Sequence, residues 1–346
     1  MDGKPQKHTD IIRTVLLLCL ALVCTVLLLF AFSGMEDHTE AVPLSARIGN
    51  YDEVIASIRH GLRCHAENIK VSFSYGKDIQ KEITAVVGDW VEEALAETDE
   101  PTEGDYIRYQ YGGYEIQCAC DRPEGGRYQY TVTIVPHHYT FWEQEEKLTT
   151  ALAEIEADFG FTPSTTDYEK IRTIYDWVCS NVKYDQVHKN NDYAHLRSTC
   201  YSAVIWRTAA CQGYSVTLYR LLREAGINCR ILTGMAQRVD SSLEFHAWNI
   251  VELEGKWYNL DATWDAGRED WQFFLRGRTG FAGHTPGNPF TDKDFASKYT
   301  ISGPDWPCPE KLPVQAVVLA NFSLTTRRKT HIITHANWML HLFFVE

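Results

Sequence analysis

The chain has 346 residues, 45% of them hydrophobic and 23% charged, which describes a folded protein with room for two ordinary domains. Its formal net charge of -13 argues against nucleic acid as a partner, because a phosphate backbone is held by Lys and Arg. Aromatic residues make up 12%, enough Tyr and Trp to line a groove, although most of them belong to the core.

Residues 14 to 32, TVLLLCLALVCTVLLLFAF, form one uncharged apolar run, close to the roughly 20 residues that span a bilayer as a helix. Lys4, Lys7 and Arg13 precede it, while Glu36, Asp37 and Glu40 follow. The positive-inside bias therefore places residues 1–13 in the cytoplasm and anchors the protein in the membrane through 14–32, with the C-terminal bulk extracytoplasmic. A signal peptide cleaved near Ala31-Phe32-Ser33 is the competing reading, and it makes the protein secreted. The cysteines beyond this run show no recognisable disulfide framework.

After a polar linker, Val54, Ile55, Ile58 and Leu62 fall on one helical stripe, and IKVSFSY at 69–75 alternates as a strand. Ile79, Ile83, Val86, Val87, Trp90 and Val91 mark a second helical face. The stretch YIRYQYGGYEIQCAC predicts a hairpin about Gly112-Gly113, since glycines tolerate the positive φ of a tight turn. A further strand covers 128–135, so residues 45–140 read as a small α+β domain without a catalytic constellation. Cys118 and Cys120 in it suit a strand edge or half a disulfide. His137, His138, His331, His335 and His341 lack companion ligands at metal-site spacing, so no metal and no cofactor is expected.

A helix over 142–159 presents Leu148, Leu152, Ile155 and Phe159, and Gly160 ends it. The next helix begins at Thr166, where Thr-Asp-Tyr-Glu fits a capping box. Residues 142–300, with these lead helices, read as the domain that carries chemistry; the tail 311–346 stays unassigned. In CQGYSVTLYRLL, Val216, Leu218, Tyr219 and Leu222 set a helix that Gly226 closes. Cys211 therefore stands at a helix N-terminus, where unsatisfied N–H groups and the positive end of the dipole favour a thiolate and can hold an oxyanion. A buried structural cysteine is the plain alternative.

A thiolate needs a base, and the base needs an orienting group. FHAWNIVELEGKWYNLDATWD supplies both if a two-residue turn at Glu254-Gly255 sets Leu253 opposite Lys256. Trp248 then faces Asp261, His246 faces Thr263, and Asp261 lies diagonal to His246 on one face. A three-residue turn would put Asp261 on the other face, so the arrangement depends on register.

With these residues in view, CQGY at 211–214, HAWN at 246–249 and KWYNLDATWD at 256–265 resemble the transglutaminase-like superfamily, in its bacterial exported branch. DYEKIRTIYDWVCSNVKYD, Tyr201 with Ala203, and WQFFLRGRTGFAGH add to the resemblance, which covers about residues 165–300. It implies a papain-like α+β core with Cys211 as nucleophile, His246 as base and Asp261 as orienter. It also offers Gln212, Tyr201 and Trp248 as substrate or oxyanion contacts. Arg207 stands where the family often has glycine, which bears on what reaches the thiol. The implied activity is cysteine-dependent acyl transfer on amide bonds of peptides or proteins, cell-wall material included, with hydrolysis favoured over transglutamination. A tethered wall- or peptide-binding module with a retained triad, and a scaffold with Cys211 merely buried, are the alternatives. Nothing in the sequence sets the oligomeric state.

Overall fold

The computed structural model describes residues 48–121, 126–238 and 240–307. The apolar run 14–32 and the tail 311–346 fall outside the described residues. Among those described, no helix is long and apolar enough to cross a membrane.

The first unit contains α1 (Tyr51–Arg63), β1 (Ile69–Tyr75), α2 (Ile83–Ala94), a single turn α3 (Asp105–Arg108), β2 (Tyr111–Asp121) and β3 (Tyr128–His138). The strands form an antiparallel sheet in the order β1-β3-β2. Alternation along β1 buries Ile69, Val71, Phe73 and Tyr75 against the apolar stripes of α1 and α2. The Gly112-Gly113 pair departs from the predicted hairpin turn. Both glycines lie inside β2, where the register against β3 slips between Tyr111 and Tyr114, and Gly113 takes a φ of 97°. They make a bulge, because the residues before them are drawn into α3 and leave no strand to pair back. Cys118 and Cys120 are free thiols on β2, at the sheet edge.

The segment after α2 fastens this unit to the next. Arg230 donates from Nε and Nη2 to the two oxygens of buried Asp105 at 2.8 and 3.1 Å, and Asp105 Oδ2 also accepts from the Ile231 N–H at 2.8 Å. The Tyr219 hydroxyl reaches Glu97 at 2.8 Å. A buried, fully bonded pair of this kind fixes geometry more than it adds stability.

The second unit opens with α4 (Trp142–Phe159) and α5 (Asp167–Asn181). Gly160 ends α4 in the left-handed region, and Thr166 caps α5 through the capping box with Glu169. Two short parallel strands follow, β4 (Lys183–Tyr184) and β5 (Thr208–Ala209), then α6 (Cys211–Glu224). A four-stranded sheet in the order β8-β7-β6-β9 completes the unit, from β6 (Cys229–Gln237), β7 (Leu243–Leu253), β8 (Lys256–Leu260) and β9 (His284–Pro286). The one-turn α7 (Ala262–Asp265) and α8 (Lys293–Lys298) lie in the connections around β9. One face of β7 packs on α6: Val251 and Leu253 join Val216, Leu218 and Leu222 in the main core, and the Asn249 amide donates to the Ser215 carbonyl at 3.0 Å. The opposite face, with Trp248 and Ile250, closes over Phe281, Phe290 and Tyr299. This mixed helix and strand content is α+β, as expected.

Candidate active site

Cys211 is the first residue of α6, and its N-cap, Ala210, offers no side-chain acceptor to the first-turn N–H groups. These groups and the positive helix end are thus presented at the partly exposed thiol. Gly213 permits this placement. A Cβ there would lie 2.8 Å from Ala209 Cβ and from the Arg197 carbonyl, so only glycine lets the helix start so close beneath the preceding turn. Four residues ahead of the thiol, Arg207 takes a φ of 58°, a conformation that suits glycine, and its guanidinium lies over the Trp177 ring at 4.7 Å.

The Glu254-Gly255 turn has the predicted two residues, with φ values of 51° and 72° and Leu253 opposite Lys256. The ladder nevertheless stops at Asn249↔Leu260, so the expected pairs Trp248–Asp261 and His246–Thr263 do not form. Asp261 instead caps α7: its Oδ1 accepts from the N–H groups of Thr263 at 3.0 Å and Trp264 at 3.1 Å. Capping turns the other carboxylate oxygen toward His246, whose Nε2 lies 2.8 Å from Oδ2. Asp265 steadies this cap from behind, accepting from the Tyr175 hydroxyl and from the N–H groups of Gln272 and Phe273, each at 2.8 Å.

With Nε2 committed to the carboxylate, the other ring nitrogen of His246 is left free of it, and the Cys211 sulfur is near enough for its charge to act on the ring. Burial alone would drive the imidazole pKa down; the Asp261 carboxylate and the Cys211 sulfur outweigh it and raise the pKa to about 10. Burial would likewise push Asp261 up, but hydrogen bonds from His246 and then from His284 bring it down to about 2. Trp264 stacks on the His246 ring at a centroid distance of 5.0 Å. The carboxylate–imidazole pair is therefore both buried and walled by aromatic rings.

The other sequence candidates take supporting positions. The Gln212 amide donates to the Tyr109 carbonyl at 2.6 Å, tying the start of α6 to the first unit. Tyr201 is buried in the main core against Trp206. Trp248 is 1% exposed and packs behind His246.

One residue of the site was not among those candidates. His284 Nε2 lies 3.0 Å from Asp261 Oδ2, the same oxygen that His246 addresses, and the His284 side chain has no exposed surface. Phe281 stacks on its ring at 4.0 Å. Pairing of β9 with β6 puts it there, with His284 opposite Ala236. The approach requires Gly234, where a Cβ would come within 2.1 Å of the Thr285 carbonyl oxygen. His284 falls in the WQFFLRGRTGFAGH stretch, 23 residues after Asp261, and no local periodicity ties the two together. His246, Asp261 and His284 also have ligand-type atoms within 4.8 Å of one another, but the distances between them are those of hydrogen bonds.

His284 holds the carboxylate that in turn holds the His246 ring. Loss of one charge-assisted hydrogen bond in His284→Ala should lower kcat on the order of 10- to 100-fold. His284→Gln, which keeps a donor, should recover part of that loss. Measuring kcat, KM and Tm for the two variants separates this from a purely packing role, which would move Tm alike in both and leave kcat unchanged.

Residues 158–262 match the family model described as the transglutaminase-like superfamily, a segment that contains Cys211, His246 and Asp261. Over 152 residues the chain is 30% identical to the kyphoscoliosis peptidase of Homo sapiens, covering 37% of this chain and 22% of that protein. Over 113 residues it is 32% identical to the kyphoscoliosis peptidase of Mus musculus, covering 30% of this chain and 17% of that one. The matches thus span about a fifth of the length of these curated relatives. A crystal structure of a TGase aligns with 42% of this chain and 44% of its own at 15% identity and a TM-score of 0.31, a likeness that carries no weight here. Residues 158–262 are therefore similar to the domain of the transglutaminase-like superfamily, and the likeness extends to the segment that holds Cys211, His246 and Asp261.

Proposed function

We propose that the protein is a cysteine-dependent acyl-transfer enzyme acting on amide bonds of peptides or proteins, with water as the usual acceptor. The observation that carries this reading is one arrangement: Cys211 at the start of α6, close enough to His246 for their charges to act on each other, and His246 Nε2 at 2.8 Å from Asp261 Oδ2. The Cys211 thiolate attacks the amide carbon, and the carbonyl electrons move onto oxygen, which the first-turn N–H groups of α6 stabilise. Collapse of this adduct expels the amine, which takes its proton from the imidazolium of His246. A thioester remains on Cys211. His246, now neutral, removes a proton from water; the resulting hydroxide adds to the thioester and releases the carboxylic acid and the thiolate. Asp261 keeps the ring turned so that one nitrogen faces the sulfur throughout. A primary amine in place of water would give transglutamination, the second outcome open to the same thioester.

Iodoacetamide at neutral pH should label Cys211 fastest among the described cysteines. Burial pushes the thiols of Cys179, Cys200 and Cys229 up, Cys200 to about 12, and they are enclosed in the fold. Peptide mapping of the labelled protein reads this directly, and labelling of Cys211 no faster than of Cys64 or Cys118 would sink the nucleophile assignment. Product analysis of peptide and glutamine-donor substrates with and without a primary amine then separates the two acceptors, and incorporation of the amine as the main product would overturn the preference for water.

A further inference from the structure

Of the eight large hydrophobic side chains exposed among the described residues, six lie on two segments, one of which pairs with the residues just before Cys211. Tyr184, Val187 and Tyr193 belong to the stretch after α5, while Met235, Leu243 and Phe245 are on the β6–β7 hairpin. Scattered singly on a surface, such residues need no explanation; gathered beside a nucleophile, they do.

The register defines the hairpin trio as one wall. Met235 pairs with Phe245, and Leu243 is two residues from Phe245 on the same strand, so all three side chains share a face. It is the face of β7 that carries Asn249 and Val251, which pack on α6. Following β7 from Val251 back to Phe245 follows α6 back toward its first residue, so the wall rises just past the thiol. Tyr184 is also near the thiol. It pairs with Ala209, two residues before Cys211, and its phenol pKa is pushed up by burial and then by the Cys211 charge.

The backbone of β7 adds a second feature. The Ser242 carbonyl accepts from the Arg238 N–H and the Glu252 N–H donates to Asn228, so even-numbered residues turn their peptide groups toward β6. Odd-numbered residues turn theirs toward β8, whose ladder ends at Leu260 opposite Asn249. Leu243 and Phe245 therefore point their N–H and C=O groups to a side on which no strand of the described residues lies. An open edge of this kind accepts an extended chain.

The geometry points to an extended peptide as the acyl donor, laid along the free edge of β7 with bulky apolar side chains against Met235, Leu243 and Phe245 and its reactive carbonyl at Cys211. An occupant that stayed on this wall would block the thiol, whereas a substrate that comes and goes is compatible with turnover. The inference rests on Cys211 as nucleophile and goes beyond it by naming what the cleft selects.

The test uses N-acyl dipeptidyl chloromethyl ketones that alkylate Cys211 and carry Phe, Leu, Ala or Asp before the warhead, applied to the full chain. Phe and Leu probes should label Cys211 on the order of tenfold or more faster than Asp probes, the scale expected for burying one large apolar side chain. In Leu243→Ser and Phe245→Ser, both changes at exposed positions, the ratio of Phe to Asp labelling should fall to about twofold. The ratio is internal to each variant, so a change in the reactivity of the thiol itself does not affect it. Brisk labelling of the wild type by iodoacetamide with no discrimination among the peptidyl probes would overturn the inference and leave the nucleophile intact. Discrimination that survives both substitutions would also overturn it. So would a dimer in solution that Leu243→Asp dissociates, since the wall would then be a contact between copies. Failure of Cys211 to react even with iodoacetamide would instead strike at the assignment beneath it.

Discussion

His246→Ala is expected to reduce turnover by at least about 10³-fold while the protein stays folded, because in the proposed mechanism it removes the group that moves protons at the thioester. Steady-state assay and circular dichroism of the purified variant check the two halves of this statement; turnover within about tenfold of wild type would refute the role. The same residue makes stability depend on pH. Its pKa is raised from an ordinary 6.5 to about 10 in the fold, so its contribution is complete below about pH 6.5 and fades as pH climbs through 10. Asp261 is lowered from 3.8 to about 2, so its contribution is present above about pH 3.8 and disappears as pH falls through 2. Urea unfolding of wild type and His246→Ala at pH 6, 8 and 10 should therefore show a stability gap that narrows toward pH 10. A gap that widens with pH would contradict the ion pair.

Asp261→Ala should be the most damaging single change to the fold around the site, costing at least about 3 kcal/mol. It strands four donors at once: the N–H groups of Thr263 and Trp264 and the Nε2 atoms of His246 and His284. Three of these four residues pack their rings together, with Trp264 within 5.0 Å of His246 and 4.5 Å of His284, so water cannot easily replace the carboxylate. Asp261→Asn keeps an oxygen for the cap and should retain most of the stability. Its amide would face two ring nitrogens that now donate, however, and would force His246 toward the tautomer that points a proton at the sulfur. Turnover should fall about 10²- to 10⁴-fold, less than for loss of the base itself. Thermal unfolding and kcat measured on both variants give the comparison. Asp261→Ala as stable as Asp261→Asn would show that the cap does not matter.

The features legible in the chain were those carried by near neighbours. The α6 periodicity, the Thr166 capping box and the Glu254-Gly255 turn each rest on residues within a few positions of one another. Those signals sufficed to put Cys211 at a helix start and to bring His246 and Asp261 into one hairpin. The point where a ladder stops was not legible, because Asp261 can continue a strand or cap a helix, and packing after Leu260 decides between the two. The Gly112-Gly113 pair has the same ambiguity, serving a turn or a bulge according to what α3 takes from its flank. Local pattern thus placed Cys211 at its helix start and His246 in the strand before the turn. The second imidazole on the carboxylate and the apolar wall beside the thiol depend on β9 and β7 meeting across β6 and on where β8 ends, contacts between distant stretches that no short window of residues contains.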